Sequence, residues 1–292
     1  MLRQFAYSRI CQDGHHITQT AEKTGSTSLF ALALPTYPQE KDLNKVVELK
    51  ILNRVDAVIL DIEGTTTPID FVHRTLFQFA KQNMHNFLRD NINSEGVRKA
   101  IRELRSIYNE IQGNLTGIDS GNTVDDKGSI ENDASILNHL IDIDSKATQL
   151  KLIEGMIWEE GYKDGRLRGE VYADVPIYMK KWISLGKKIY IYSSGSVLAQ
   201  RLIFSSTKYG DLTAYITNYF DTEIGRKTDP ESYGKIAERI GINPQRILFI
   251  SDSMGELKAA ASRGFQTLMI LRDGNSEKSK YPSTIEDFSE IE

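Results

Sequence analysis

The sequence has a single cysteine, Cys11, among its 292 residues. One thiol excludes an internal disulfide framework and a zinc site built from cysteines, and scarce cysteine is typical of proteins in a reducing compartment. The chain also lacks an apolar run near the ~20 residues that a bilayer-spanning helix needs. We therefore expect a soluble protein of the cytoplasm that makes no contact with a membrane.

Excess positive charge is missing as well. The 36 lysines and arginines are outnumbered by 40 aspartates and glutamates, and the formal net charge is -4. A protein that binds nucleic acid usually carries a basic surface, so we expect no nucleic-acid partner. A site for one small phosphate ester needs only a few positive groups, so the net charge does not exclude it.

One stretch, residues 55–68, organises the rest of the chain. It reads VDAVILDIEGTTTP and starts as a short apolar run, which predicts a strand buried on both faces of a parallel sheet. Asp61, Glu63 and Gly64 follow where this strand ends. Two neighbouring carboxylates repel each other unless a cation or a shared proton compensates, and ligands of open α/β sheets bind at the carboxyl ends of the strands. The stretch therefore predicts the floor of a metal-dependent site.

Apolar patterns of strand and helix type alternate along the remaining chain. Strands are predicted at residues 188–192, 215–220, 247–250 and, as the last strand, 267–271, and helices at 70–91, 94–111, 134–158, 176–185, 197–206 and 230–240. Alternation of this kind favours a doubly wound parallel sheet. The predicted fold class is therefore α/β and Rossmann-like, with a block of helices inserted after the first strand.

The same patterns divide the chain into three parts. Residues 1–54 are predicted to form a flexible N-terminal extension because they are polar and hard to place. Residues 55–66 and 170–292 are predicted to form the α/β core, and residues 67–169 a helical cap inserted into it. Within the cap, residues 112–133 lose periodicity and fill with glycine, asparagine and aspartate, which predicts a mobile loop.

Polar residues of a particular kind stand where the predicted strands end. The candidate site residues are Asp61 and Glu63, Ser193 and Ser194, Lys227 in a later turn, and Asp252. Magnesium prefers a few oxygen ligands and shares its remaining positions with water and phosphate, so the three acids are the candidate metal ligands. Hydroxyl groups and a lysine can bind phosphate oxygens, so the two serines and the lysine are the candidate substrate-binding residues. Together these residues predict a phosphoryl-transfer site with one Mg²⁺ ion.

Hydrolysis of a phosphate monoester needs more than proton transfer. Enzymes speed this reaction by up to ~10²¹-fold, whereas general acid–base catalysis contributes ~10²–10⁴-fold. We therefore predict that Asp61 attacks phosphorus and forms an aspartyl-phosphate that water then hydrolyses. Two interpretations stay open: Glu256 is either an acid in the first turn of a helix or a member of the site, and Ser193 and Ser194 are either turn residues or phosphate ligands.

These motifs resemble those of the haloacid-dehalogenase-like hydrolases. That family has an acidic pair after a buried strand, a serine or threonine that closes another strand, a lysine, and a second acidic pair. The matching residues here are Asp61 with Glu63, Ser193 or Ser194, Lys227, and Asp252 with Glu256. The motifs follow the family's order over residues 55 to about 275. The resemblance implies a haloacid-dehalogenase-like fold, in which an inserted helical cap is common.

Three stretches narrow the resemblance to the enolase-phosphatase family of methionine salvage. They read DIEGTT at 61–66, YSSGS at 192–196 and IWEEGYKDGRLRGEVYADVP at 157–176. The resemblance implies that the enzyme enolises 2,3-diketo-5-methylthiopentyl-1-phosphate and then hydrolyses the phosphate ester, with magnesium as the only cofactor. Glu63 replaces the usual aspartate and is a second catalytic residue, which either moves the proton in enolisation or protonates the leaving oxygen. A nuclear location beside the cytoplasmic one is also implied.

Two alternatives to this function stay open. The chain is a phosphatase or phosphomutase for another small phosphate ester, or a signalling domain that uses Asp61 as a phospho-acceptor. The inserted cap argues against a signalling domain, because a switch needs no lid. The small-molecule phosphate ester is the partner that we expect, and we expect a monomer.

Overall fold

The computed structural model describes residues 51–116, 129–272 and 281–291, without the side chains of residues 112–116. Most of the predicted extension 1–54 and the middle of the predicted loop 112–133 lie outside the described residues. Where the description begins, a turn of 3₁₀-helix, Ile51–Arg54, buries Leu52 in the core. In the described part of the chain, no helix is both long and apolar enough to cross a membrane.

Six parallel strands form one sheet in the described residues. They are β1 (Ala57–Leu60), β2 (Lys188–Tyr192), β3 (Asn218–Phe220), β4 (Ile247–Ser251), β5 (Gln266–Ile270) and β6 (Thr284–Ile285). Their order across the sheet is β3-β2-β1-β4-β5-β6, and every neighbouring pair is parallel. The chain winds from β1 outward in one direction and then, from β4, outward in the other. This arrangement confirms the predicted fold class and makes the carboxyl ends of β1 and β4 the switch point where a crevice opens.

The residues of β1 divide the apolar core between the two faces of the sheet. All four are fully buried. Val58 and Leu60 belong to one apolar cluster, which includes residues of the inserted helices, whereas Ala57 and Ile59 belong to a second cluster. Because both faces are covered, every position of the strand is apolar, and this is why a continuous apolar run predicted it.

Eight α-helices accompany the sheet in the described residues. They are α1 (Phe77–Asn91), α2 (Glu95–Thr116), α3 (Ile130–Asp142), α4 (Thr148–Lys163), α5 (Asp174–Ser184), α6 (Val197–Ser205), α7 (Pro230–Ile240) and α8 (Met254–Ser262). A π-helical turn, Phe71–Leu76, leads directly into α1. Helices α1 to α4 lie between β1 and β2 and pack on one another, and α4 also packs on α6. We refer to α1–α4 as the cap. Its bounds, residues 67–169, remain those predicted from the sequence.

The structure corrects two predictions within the cap. Helix α2 continues to Thr116, past the predicted start of the loop at residue 112, and α3 begins at Ile130, where the Oγ of Ser129 accepts a hydrogen bond from the Asn132 N–H at 3.2 Å. The single helix predicted at 134–158 is two helices, α3 and α4. Asp144 between them has a positive φ of 52°, a conformation that no helix contains. The apolar periodicity continues across this turn, so the pattern alone did not reveal it.

The sheet brings two further corrections. The strand predicted at 215–220 is shorter, because Thr213–Tyr215 is a turn of 3₁₀-helix and only Asn218–Phe220 joins the sheet. The strand at β5 is not the last one, since Thr284–Ile285 adds β6 at the edge. Two residues are too few to produce a readable period of apolar positions.

The ion pair between Arg105 on α2 and Asp133 on α3 is buried, with 8% and 1% of the side chains exposed, and leads to a stability prediction. Arg105 Nε and Nη2 donate to the two Asp133 carboxylate oxygens at 2.5 and 2.6 Å. We expect Asp133→Ala to lower the free energy of unfolding by about 3–5 kcal/mol, because the buried guanidinium loses the carboxylate to which two of its nitrogens donate.

Urea unfolding of Asp133→Ala and of a control variant, Asp142→Ala, measures this effect. Asp142 pairs with Lys81 at 2.5 Å, but 57% of its side chain is exposed. An exposed pair contributes about 1 kcal/mol or less, so the control should unfold close to wild type. If both variants lost the same free energy of unfolding, the buried pair would contribute no more to stability than the exposed one.

Candidate active site

The loop after β1 is tightly wound and closes against β4. The Asp61 N–H donates to the Ile250 carbonyl at 3.1 Å, so the end of β1 is held beside the end of β4. The N–H groups of Thr65, Thr66 and Thr67 all donate to the Ile62 carbonyl at 2.9–3.2 Å. The Thr66 hydroxyl donates to the Asp61 carbonyl at 3.0 Å. These bonds fix the backbone on which the two acids of the first motif stand.

A buried lysine joins two acids at this point. Lys227 Nζ lies 2.5 Å from Asp61 Oδ1 and 2.7 Å from Glu256 Oε2. The side chains of Lys227, Asp61 and Glu256 are 9%, 7% and 14% exposed. Glu256 stands in the first turn of α8 and also accepts a hydrogen bond from the Ser251 hydroxyl at 2.9 Å. Glu256 is therefore an acid in the first turn of a helix and also a contact of Lys227, and its part in the chemistry stays a prediction.

The turn that carries Lys227 is anchored from two sides. The Tyr233 hydroxyl on α7 donates to the Lys227 carbonyl at 2.7 Å, and the Tyr192 hydroxyl at the end of β2 donates to the Gly225 carbonyl at 3.0 Å. Asp229 caps α7 by accepting from the Glu231 N–H at 3.0 Å, and a proline follows it at the start of the helix. The ammonium group is thus delivered by a turn whose backbone is fixed at both ends.

Burial and charge act on Asp61 and Lys227 in opposite senses. Burial raises the pKa of Asp61 to about 7, and the nearby Glu256 carboxylate adds to the rise, although Lys227 opposes it. Burial alone would lower the pKa of Lys227, but the two carboxylates outweigh burial and hold that pKa above its ordinary value. One ammonium group therefore serves two acids, and a further positive charge beside Asp61 would favour its ionised form.

Asp252 lies directly against the loop after β1. Gly64 has a φ of +70°, and a Cβ atom placed on it would lie 2.7 Å from Asp252 Oδ2. The glycine thus makes room for the Asp252 carboxylate. Asp61, Lys227 and Asp252, which are far apart in the sequence, meet at one edge of the sheet.

The donors at this edge fit a magnesium ion. In the described residues, no group of three or more histidine, cysteine or acidic side chains is arranged to hold a metal. Magnesium does not require such a group, because it is usually bound by one or two carboxylates and keeps several waters or phosphate oxygens. Asp61 and Asp252, whose carboxylate lies against Gly64 in the loop after Asp61, could offer such a pair of oxygen ligands. Glu63 is half-buried and offers a further oxygen from its side chain or backbone.

The two serines after β2 occupy different positions. Ser193 is buried, its N–H donates to the Phe220 carbonyl at 3.2 Å, and its Oγ accepts from the Gly195 N–H at 3.2 Å. The Ser194 carbonyl accepts a hydrogen bond from Lys151 Nζ on α4 at 2.7 Å. The loop after β2 is therefore a contact between the core and the cap.

A pocket lies between the sheet edge and the cap. From the core it is lined by Glu63, Ser193 and Ser194, and from the cap by Lys151, Glu154, Trp158, Val72, Leu76 and Phe77 among others. Trp158 donates from Nε1 to the Leu76 carbonyl at 2.8 Å and stacks on Phe77 at 6.2 Å between ring centroids. The indole ring is buried and also forms a wall of the pocket.

Sequence reasoning missed Lys151 and Glu154. Both stand on α4 beside apolar residues that belong to the core, Leu150 and Ile153, and Glu154 is only 5% exposed. Polar residues on the apolar face of a predicted helix were the available signal. The helix predicted at 134–158 rests on its apolar positions alone, so the two polar residues among them do not enter that prediction.

Arg272, directly after β5, is a second residue that the sequence did not single out. Its Nε donates to the Thr65 carbonyl at 3.1 Å, and its Nη1 donates to Asp174 Oδ1 at 3.0 Å. Asp174 Oδ2 in turn accepts from the Phe288 N–H at 2.8 Å. This network supports the back of the loop that carries Asp61.

The fold and the edge of the sheet define a class of hydrolases. Residues 55–264 match the family model of the haloacid dehalogenase-like hydrolases. Among solved structures, the UTR4 protein of Saccharomyces cerevisiae is similar, with a TM-score of 0.63 and 31% sequence identity over 80% of this chain and 98% of that one.

Curated relatives place the chain more closely. Enolase-phosphatase E1 of Sulfurihydrogenibium sp. is 42% identical over 240 residues, which cover 82% of this chain and 98% of the relative. Enolase-phosphatase E1 of Drosophila melanogaster is 41% identical over 221 residues, which cover 75% of this chain and 84% of the relative. The chain belongs to the haloacid dehalogenase-like hydrolases and, within them, to the enolase-phosphatase E1 family, as the sequence motifs predicted.

The contact between Gly64 and Asp252 leads to a prediction about activity. In Gly64→Ala, the new methyl group would displace the Asp252 carboxylate from the loop that carries Asp61. We expect kcat/KM for an aryl phosphate to fall about 100-fold, because a displacement near 1 Å in an active site has an effect of that size. Magnesium should also be needed at higher concentration for half-maximal activity.

Gly165→Ala is the matched control, measured by phosphate release and by thermal unfolding. Gly165 has a φ of +78°, but no atom lies within 4 Å of its added Cβ. Both variants therefore carry the strain of a side chain at positive φ, about 1–2 kcal/mol, and only one displaces Asp252. If both variants lost activity to the same extent, strain and not the position of Asp252 would be the cause.

Proposed function

We propose that this chain is a magnesium-dependent enolase-phosphatase that enolises 2,3-diketo-5-methylthiopentyl-1-phosphate and then hydrolyses its phosphate ester. The observation that carries the proposal is the buried contact between Lys227 and Asp61, with Asp252 packed against the same loop. Membership of the enolase-phosphatase E1 family supports the substrate. The cytoplasmic or nuclear location and the monomeric state that we expect from the sequence stay predictions.

In the phosphatase step, Asp61 is the nucleophile. Lys227 holds Asp61 Oδ1 at 2.5 Å, which leaves the other carboxylate oxygen to attack phosphorus. A bond forms between that oxygen and phosphorus, the ester P–O bond breaks, and the leaving oxygen takes a proton. Water then attacks the aspartyl-phosphate, its P–O bond to Asp61 breaks, and inorganic phosphate leaves. Splitting one slow hydrolysis into two displacements on a fixed carboxylate lowers the barrier of each.

Charge neutralisation supports both displacements. Asp61, Asp252 and Glu63 would hold the magnesium ion, which neutralises negative charge on the phosphoryl oxygens when it is bound. Lys227 is a fixed cation at the same edge and stabilises the same charge. The Ser193 hydroxyl, which accepts a hydrogen bond from the Gly195 N–H, has its own proton free to donate to a phosphoryl oxygen.

Enolisation needs a group that moves a proton at the carbon beside a carbonyl. Glu63 is half-buried, lines the pocket and reaches one methylene further than an aspartate would. It would take that proton or, in the later step, protonate the leaving oxygen. The apolar walls of the pocket, formed by Val72, Leu76 and Phe77, suit the methylthio end of the substrate, and the cap above them excludes water.

Phosphate release from the diketo ester tests this function against the two alternatives. We expect turnover with magnesium and loss of turnover when a chelator removes the ion, because the charge of the phosphoryl group is then left uncompensated. The measurements are phosphate release and the ultraviolet absorbance of the enol. Turnover of other esters but not of the diketo ester would favour a different phosphatase or phosphomutase. Stoichiometric labelling without turnover would favour a phospho-acceptor switch.

Substitution of the nucleophile gives a further prediction. Asp61→Asn should lower kcat for phosphate release by about 10⁴-fold or more, because the amide cannot form the covalent intermediate. Rapid quench with labelled substrate should trap phosphate on the wild-type protein and none on the variant. Asp56→Asn is the control, since Asp56 stands just before β1 in an exposed pair with Arg246. Turnover retained by Asp61→Asn would end the covalent mechanism.

A further inference from the structure

We propose that Lys151 and Glu154, on one face of α4, form the cap's binding site for the two adjacent carbonyl groups of the substrate. The inference rests on the proposed function and assigns its specificity for a diketone to this pair. The phosphate site of the core would recognise any small phosphate ester. The pair on α4 would select esters that also carry a dicarbonyl.

The position of the pair within the pocket is the first support. Residues three apart on a helix point to the same side, and both Lys151 and Glu154 line the pocket opposite Glu63 and Ser193. Helix α4 lies against the core here, because a Cβ placed on Gly155 would be 3.5 Å from Leu198 Cδ2 on α6, an ordinary van der Waals distance. Both side chains therefore line the pocket in which the reacting end of the substrate would lie.

Lys151 is bound to the loop after β2 and keeps one N–H donor for a ligand. Its Nζ donates to the Ser194 carbonyl at 2.7 Å and to the Thr222 hydroxyl at 3.3 Å. An ammonium group has three N–H donors, so one remains for a ligand in the pocket. The lysine is fixed by the core although it belongs to the cap.

Glu154 is buried with its carboxyl uncommitted. It is 5% exposed, and among the described residues no hydrogen bond or ion pair engages its carboxyl. Burial raises its pKa to about 8, whereas the charges of Lys146 and Lys151 lower it and that of Asp144 raises it. A neutral carboxyl is an O–H donor, so at neutral pH this side chain can donate to an acceptor in the pocket.

The chemistry of a 1,2-diketone matches these two donors. Its two adjacent carbonyl oxygens accept hydrogen bonds and donate none, and the pair offers one N–H and one O–H. In enolisation, a proton leaves the carbon that bears the phosphate ester for a base. The C–H electron pair forms the new C=C bond, and the carbonyl π pair moves to oxygen. Lys151 would stabilise the negative charge on that oxygen, while Glu154 would hold the neighbouring carbonyl.

A comparison of two substrates tests the pair. For each variant we measure kcat/KM on the diketo ester and on an aryl phosphate that has no carbonyl, and take the ratio of the two. Lys151→Met should lower this ratio about 100-fold, the usual effect of removing one donor from a developing oxyanion. Glu154→Leu should lower it about 10-fold, because one carbonyl is left without a donor. Glu154→Gln should keep the ratio within about threefold, since an amide donates without carrying charge.

Matched controls come from the same helix. Glu160→Leu and Lys163→Met change exposed residues of α4 that do not line the pocket and should leave the ratio at the wild-type value. Thermal unfolding of each variant reports any loss of folding. If Glu154 were only structural, its substitution would not change the ratio of the two kcat/KM values. A ratio that falls in Glu154→Leu and is kept in Glu154→Gln therefore indicates a role in binding the diketone.

The pH profile supplies an independent readout. In the wild-type enzyme, kcat/KM for the diketo ester should fall as pH rises through about 8, because Glu154 then loses the proton that it donates. Glu154→Gln should lack this fall. The other titratable groups that face Glu154 are Lys151 on α4, Lys146 and Asp144 before α4, and Glu63 after β1, and they are the same in both proteins.

Three outcomes would overturn the proposal. They are an unchanged ratio in Lys151→Met and Glu154→Leu, a ratio in Glu154→Gln as low as in Glu154→Leu, and the same alkaline fall in Glu154→Gln as in wild type. Failure of the proposed function gives a different result. In that case the wild-type enzyme itself would hydrolyse the aryl phosphate and leave the diketo ester unchanged.

Discussion

One buried ammonium group, that of Lys227, holds the site together. It lies within 2.7 Å of both Asp61 and Glu256, in a region where water does not screen their charges. Without it, two carboxylates would face each other in a buried place, where each favours its neutral form. A neutral Asp61 could not attack phosphorus. The lysine therefore holds Asp61, the proposed nucleophile, in position and favours its ionised form against the effect of burial, and the proposed metal ligands lie at the same edge of the sheet.

The topology of the sheet brings these groups together. Asp61 follows β1 and Asp252 follows β4, and these strands are neighbours at the point where the winding direction reverses. The carboxyl ends of parallel strands lie at one edge, so residues nearly two hundred positions apart meet there through strand pairing. Lys227 comes from the turn after β3, and Glu256 from the helix that follows β4. Each contact of the site thus depends on the order of the sheet.

Much of the core was predictable from sequence because its signals are local. The buried run before Asp61 and the predicted bounds of β2 and α7 agree with the structure. The convergence of Asp61, Lys227 and Asp252 followed from the rule that ligands bind at the carboxyl ends of parallel strands.

The cap was less predictable from the sequence than the core. The break at Asp144, the pair on α4 and the support from Arg272 depend on tertiary packing, which leaves no period in the sequence. The pocket residues on the cap were therefore missed, although those at the edge of the sheet were found.

The support of the Asp61 loop also affects how the enzyme matures. The Thr65 carbonyl is held by Arg272, 207 residues later in the chain, and Arg272 is oriented by Asp174, which also binds the Phe288 N–H. During synthesis, the loop leaves the ribosome long before the segment that braces it. A growing chain can pair β1 with β2 early. The network of Arg272 and Asp174 that supports the loop carrying Asp61 is complete only after the region around Phe288 has emerged. Newly made molecules would thus gain their catalytic geometry late, at the step when the far edge of the sheet closes.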